Sequence, residues 1–167
     1  MNFPQMLPIE QLFERPKVDD IPGAIREQFL AEDIGTIIKP RMRVAIAVGS
    51  RGIAELRLIV CCVVKQLQEL GAEPFIVPAM GSHGGATAEG QTAVLAEYGI
   101  TESAVGAAVI SSMETIVAGH TTGGIPLHFD RNAYEADMVV LVARIKAHTD
   151  FKGAVESGLL KMAAIGL

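Results

Sequence analysis

Apolar and polar positions along this chain settle into a repeating order of short hydrophobic runs, glycine-rich breaks and longer amphipathic stretches. Arg43 to Val48 is short and rich in Val, Ala and Ile, and predicts a buried strand. Gly49-Ser50-Arg51-Gly52 breaks it. From Ile53 to Leu70, Leu56, Ile59, Val60, Val63, Val64 and Leu67 recur at helical spacing, and Gly71 supplies a stop. The order then repeats. Pro74 to Val77 predicts a second strand, Gly81-Ser82-His83-Gly84-Gly85 a second break, and Thr87 to Tyr98 a second helix capped by Thr87 and closed by Gly99.

Two successive strand–glycine loop–helix units imply parallel strands. A further strand, Met138 to Val142, leads into the polar stretch Arg144 to Gly153. Between them, Thr115 to Phe129 predicts a strand pair around Thr121 to Pro126, and Arg131 to Ala136 a short helix. The fold class expected is therefore α/β: a Rossmann-like, doubly wound, mostly parallel sheet with helices on both faces. Residues 1–40 differ in texture. They hold several prolines and one helical stretch, starting at Pro22, with Ile25, Phe29 and Leu30 on one face before Gly35 closes it. The expected division is an arm over 1–40 packing on a cofactor- and substrate-binding domain over 41–167.

A length of 167 residues suits one ordinary domain, and a hydrophobic share of 50% supports a real core. The net charge of −5 speaks against general nucleic-acid binding, which needs a basic face. Met1 to Glu10 lacks the basic and apolar regions of a secretory signal, and the apolar run Leu58 to Val64 falls far short of the roughly 18–20 residues of a membrane span. A cytoplasmic location away from membranes is expected. Cys61 and Cys62 are neighbours on a predicted helix, pointing about 100° apart, so they read as small core residues rather than a disulfide.

In open α/β sheets ligands bind beyond the carboxyl ends of the strands. Three loops occupy that position, and each carries a reactive head group: Ser50 and Arg51; Ser82 and His83; then Arg144, Lys146, His148 and Lys152. Glycines there let backbone N–H groups approach a ligand, and the helix starts that follow favour an anion. Each loop alone could be a tight turn or a solvated charge. Their coincidence at one sheet edge points to a cleft for a phosphate or carboxylate. His120 and His128 flank a turn and read as surface residues, and no pair among the four histidines has metal-ligand spacing, so no metal ligand is assigned.

The segments Gly49-Ser-Arg-Gly52, Gly81-Ser-His-Gly-Gly-Ala-Thr-Ala-Glu-Gly-Gln91, Arg144-Ile-Lys-Ala-His-Thr-Asp-Phe-Lys-Gly153 and Glu156-Ser-Gly-Leu-Leu-Lys-Met162 resemble the lactate racemase family, and more closely its less-studied homologues. The resemblance implies a racemase or epimerase of 2-hydroxy acids that uses a nickel-pincer nucleotide. The C–H beside a hydroxyl is too weakly acidic for simple abstraction, so hydride transfer to an electron-poor ring coupled to proton removal by a base is the implied route. Carried over by residue, His83 and His148 are the acid–base pair and Arg51 holds the substrate. Ser50, Gly81, Ser82 and Gly84 line the nucleotide site, and Lys161, with Lys152 second, is the tethering lysine. Val48 and the run Glu156 to Leu160 depart from the family pattern, so lactate itself is not implied. The family continues into a second domain that carries the nickel ligand, so this chain reads as an N-terminal half, inactive alone. The expected partners are a small anionic substrate, that second domain and a second copy of the chain. The alternative is a noncatalytic nucleotide- or anion-binding module, which needs Arg51 and the glycines but not the histidines.

Overall fold

The computed structural model describes residues 6–14, 16–49, 52–147, 150, 152–153 and 156–167. Its centre is a parallel three-stranded sheet of β1 (Arg43–Val48), β2 (Glu73–Pro78) and β5 (Met138–Val142), in the order β2-β1-β5. All five residues from Val44 to Val48 are buried, because β1 has a neighbour on each edge and cover on each face. That is why the run reads as continuously hydrophobic rather than alternating.

The faces differ in what covers them. On one, Val44, Ile46 and Val48 meet Val60, Val64 and Leu67 of α3 (Leu56–Glu69) and Leu95 of α4 (Ala88–Glu97). On the other, Ala45, Phe75 and Val77 pack with Ala133 of α6 (Arg131–Tyr134). Farther along that face, Ala47 and Ala79 pack with Met162, in the π-helical turn Met162–Gly166 that continues α7 (Leu159–Lys161). The doubly wound α/β arrangement expected from the sequence is present, with a small sheet.

Thr87 caps α4 by accepting from the Gly90 N–H at 3.0 Å, as its position predicts. The expected strand pair is an antiparallel hairpin of β3 (Thr115–His120) and β4 (Pro126–Asp130), paired as a sheet of its own. Other expectations need correction. The first helix, α1 (Ile21–Ala31), begins at the Asp20 cap, but Gly35 does not end it. The chain turns at Asp33, in the left-handed region at φ 49°, and Gly35 lies inside a separate short helix, α2 (Ile34–Ile37). Leu30 consequently faces outward, while Ile25 and Phe29 pack on the core. The helix expected from Ile53 starts at Leu56, because Glu55 is left-handed. Beyond β2, Val109 forms a parallel bridge to Ile76, an edge contact that no apolar rhythm announces. It follows α5 (Glu102–Val105), a single turn capped by Thr101.

Cys61 and Cys62 are both free and half-buried. Burial, and then the neighbouring Cys61, push the Cys62 thiol up, away from thiolate reactivity. No described helix is long and apolar enough to cross a membrane.

Asp130 joins the hairpin to α6, and its Oδ1 accepts from the Ala133 N–H at 2.8 Å. The residue is buried, and that burial raises its carboxyl above the ordinary range despite the opposing hydrogen bonds from Ala133 and Asn132. With the folded pKa above the unfolded one, the folded chain holds the extra proton between the two. Stability therefore falls as pH rises through that window. Asp130→Asn keeps the accepting oxygen and removes the charge. We expect it to melt higher than the parent at pH 7, with the advantage vanishing below about pH 4. Paired melting curves across that range check this, and a lower melting point at pH 7 would show that the cap needs the ionised carboxylate.

Candidate functional site

The chain leaves β1 toward β2 on one side and returns to β5 on the other, so the sheet order reverses beside β1. Loops diverge at such a point and open a crevice beyond the strand ends. Those ends are tied together. The Val142 carbonyl accepts from the Gly49 N–H at 3.1 Å, and the Val48 carbonyl accepts from the Ala79 N–H at 2.9 Å. Above them lies a cleft of about 320 Å³ walled by residues 79–83, Arg144, the Ser157-Gly158 turn and the helical segment from Lys161 to Gly166.

His83 is the best-defined group in it. Met80 to His83 forms a tight turn in which the Met80 carbonyl accepts from the His83 backbone N–H at 3.2 Å. Gly81 sits in that turn at φ +57°, a conformation that disfavours side chains. The same carbonyl lies 2.5 Å from Nδ1 of the His83 ring. A carbonyl only accepts, so Nδ1 carries a proton, and whenever the ring is neutral its lone pair is at Nε2. That is the arrangement of a base.

Two cations share the cleft with it. Arg144 lies two residues beyond the end of β5, and its guanidinium packs on the backbone of Gly52, where a Cβ would fall 2.7 Å from Nη1. Lys161 projects from the C-terminal helical segment. Among the described residues no carboxylate lines the cleft and neither cation is ion-paired. In a chain of net charge −5 this is a local positive well. A larger groove, about 710 Å³, runs between residues 16–25 and the start of α3. It is mainly apolar, and its Lys17 is already paired with Asp19 at 3.0 Å, so it offers no comparable anion site.

The structure thus brings together Gly81, Ser82, His83, Arg144 and Lys161 of the residues singled out from sequence. Gly84 lies behind the loop rather than in the cleft wall: it abuts the Gly90–Gln91 backbone. Lys152 and Lys146 are exposed and do not line the cleft. Ser50, Arg51 and His148 lie outside the described residues. His120 and His128 are on the hairpin, exposed, with His128 Nδ1 3.2 Å from the Thr115 hydroxyl. Among the described residues no three His, Cys, Asp or Glu side chains gather into a metal-binding group. Ser157 is a cleft residue that the sequence did not single out, and Arg144, named there among the head groups of the third loop, was given no specific role. For Arg144 the signal was present, since it is the first cation after a parallel strand.

Neither a curated protein nor a solved structure matches the chain. A comparison with protein families, by contrast, matches residues 6–154 to the lactate racemase N-terminal domain. The match takes in the sheet, the hairpin, the His83 loop and Arg144, and from its extent the chain belongs to the lactate racemase N-terminal domain family.

Proposed function

We propose that this domain binds a 2-hydroxy acid beside a nickel-pincer nucleotide and serves a racemase or epimerase. The observation that carries the proposal is His83, whose Nδ1 is held by the Met80 carbonyl so that Nε2 is the ring nitrogen left for a ligand, in a cleft that holds two unpaired cations and no carboxylate among the described residues. A hydroxy acid has two features to recognise. Its carboxylate suits Arg144, which offers a planar fork of donors. Its hydroxyl proton suits the free nitrogen of His83.

The donor set also fits the anionic part of a mononucleotide. The glycine loop offers backbone N–H groups, Ser82 a hydroxyl and Lys161 an amine, and the volume is within the usual range for small-molecule sites. When bound, the nucleotide supplies an acceptor that takes up hydride and returns it. The chain's own residues bind and orient the substrate and move a proton at Nε2. Lys161, in the cleft wall, is the better placed tethering lysine, since Lys152 lies outside that wall. His148 is the second base in this proposal, serving the opposite substrate orientation, and Arg51 adds to the substrate's anchorage. A second domain of the same protein closes the cleft, whose wall includes the exposed Ile165.

Metal analysis and intact mass on the full-length protein, second domain included and produced together with the enzymes that build the cofactor, test this reading. We expect nickel near one equivalent and interconversion of 2-hydroxy acid enantiomers. A well-folded sample with no nickel and no nucleotide would leave an anion-binding module as the better account.

A further inference from the structure

We propose that Gln91 is a positioning residue for His83: its side-chain amide holds the Gly81 loop, so that the imidazole keeps its proton on Nδ1 and its lone pair toward the cleft. The inference rests on the reading of His83 as the base.

Gln91 belongs to α4 and, with Asp130, is one of the two polar residues buried as a whole among the described residues. A buried amide must satisfy its hydrogen bonds within the protein. Its Nε2 donates to the Gly81 carbonyl at 2.7 Å. Gly81 is the residue that bends the Met80–His83 turn, and Met80 supplies the carbonyl that fixes the ring. One helix residue therefore fastens the turn on the near side of His83.

The far side is fastened by the same helix. Gly84 abuts the Gly90–Gln91 backbone, and its carbonyl accepts from the Thr87 hydroxyl at 3.2 Å. His83 is thus suspended between two attachments to the first turns of α4. The Gln91 side chain can be removed without touching the Thr87 cap of α4 or the contact of Gly84 with the Gly90–Gln91 backbone. Without it, the Gly81 carbonyl loses its partner, the turn relaxes, and the Met80 oxygen no longer selects one ring tautomer. A free imidazole exchanges its proton between both nitrogens, so part of the population then has Nε2 protonated and unable to act as a base.

Ring-nitrogen NMR of His83 reads this directly, at a pH where the ring is neutral, with the signal assigned by its loss in His83→Gln. The parent should show two widely split ring-nitrogen resonances, with the proton on Nδ1. In Gln91→Leu the splitting should collapse toward the average of exchanging tautomers while backbone dispersion stays native. Gln91→Glu, close in shape but without a proton to donate once ionised, should do the same and carries the test if Gln91→Leu fails to fold. In the cofactor-loaded protein, kcat should fall by about 10- to 100-fold with KM changed far less, as expected for a displaced reacting group. An unsplit parent spectrum, or full splitting in a folded variant, overturns the proposal. If the splitting collapses but His83→Ala leaves turnover intact, Gln91 still positions the ring and the base assignment is what fails.

Discussion

His83→Ala is expected to lower racemisation by about 10²–10⁴-fold in the cofactor-loaded protein, the usual contribution of a positioned acid–base group. The loss should fall on kcat. Substrate is held by charge, and the cations of the cleft, Arg144 and Lys161, are untouched by the substitution. The ring itself donates Nδ1–H to the Met80 carbonyl, so only Nε2 can reach a ligand, and in the neutral ring Nε2 has no proton to offer a carboxylate. Binding of a phosphate or carboxylate probe should therefore stay within a few-fold of the parent, since the removed group gave such ligands no charge-assisted bond. Initial rates from each enantiomer, together with titration of the probe, separate the two effects. Unchanged turnover removes His83 from the mechanism. Parallel loss of turnover and anion affinity would place it in binding instead.

The parts of the fold visible in the sequence are those where one local rule dominates. Arg43–Val48 and Met138–Val142 are short β-branched runs, and both are strands with the expected bounds. Gly71 and Gly99 follow helices at positive φ, 81° and 74°, where a left-handed residue is needed. Local rules fail where a distant partner decides. Gly35 looked like a helix stop, yet the turn is made two residues earlier by Asp33, and α2 packs Ile34 against the core. Val109 is an edge partner of Ile76 only because β2 leaves its outer side free. The site shows the same division. Glycine, histidine and cation at strand ends were legible because strand ends are where ligands bind. The function of Gln91 was not, because a glutamine in a helix reads as a solvated residue until its burial and its bond to Gly81 are known.

Gly90→Ala should destabilise the protein, although helix propensity alone predicts the opposite. Gly90 lies in the first turn of α4 with ordinary helical backbone, where Ala is favoured over Gly by about 1 kcal/mol. Its Cβ, however, would fall 1.8 Å from the Gly84 carbonyl oxygen, 2.7 Å from the Gly84 carbonyl carbon and 2.8 Å from the Thr87 hydroxyl. Two of those three atoms are backbone and the third is the helix cap, so no flexible side chain can swing away. The helix and the loop must separate, which breaks the far attachment of His83. Overpacking of this kind costs about 3 kcal/mol or more once backbone has to move, and it exceeds the propensity gain. Gly85→Ala is the matched control, with open space around its Cβ but φ +68°, so its cost is limited to about 1–2 kcal/mol of left-handed strain. Urea titration of both variants ranks them. Gly90→Ala should be the less stable, and its His83 ring-nitrogen splitting should collapse as well. A Gly90→Ala protein more stable than the parent would mean that α4 does not press on Gly84, and the account of how His83 is held would fall with that contact.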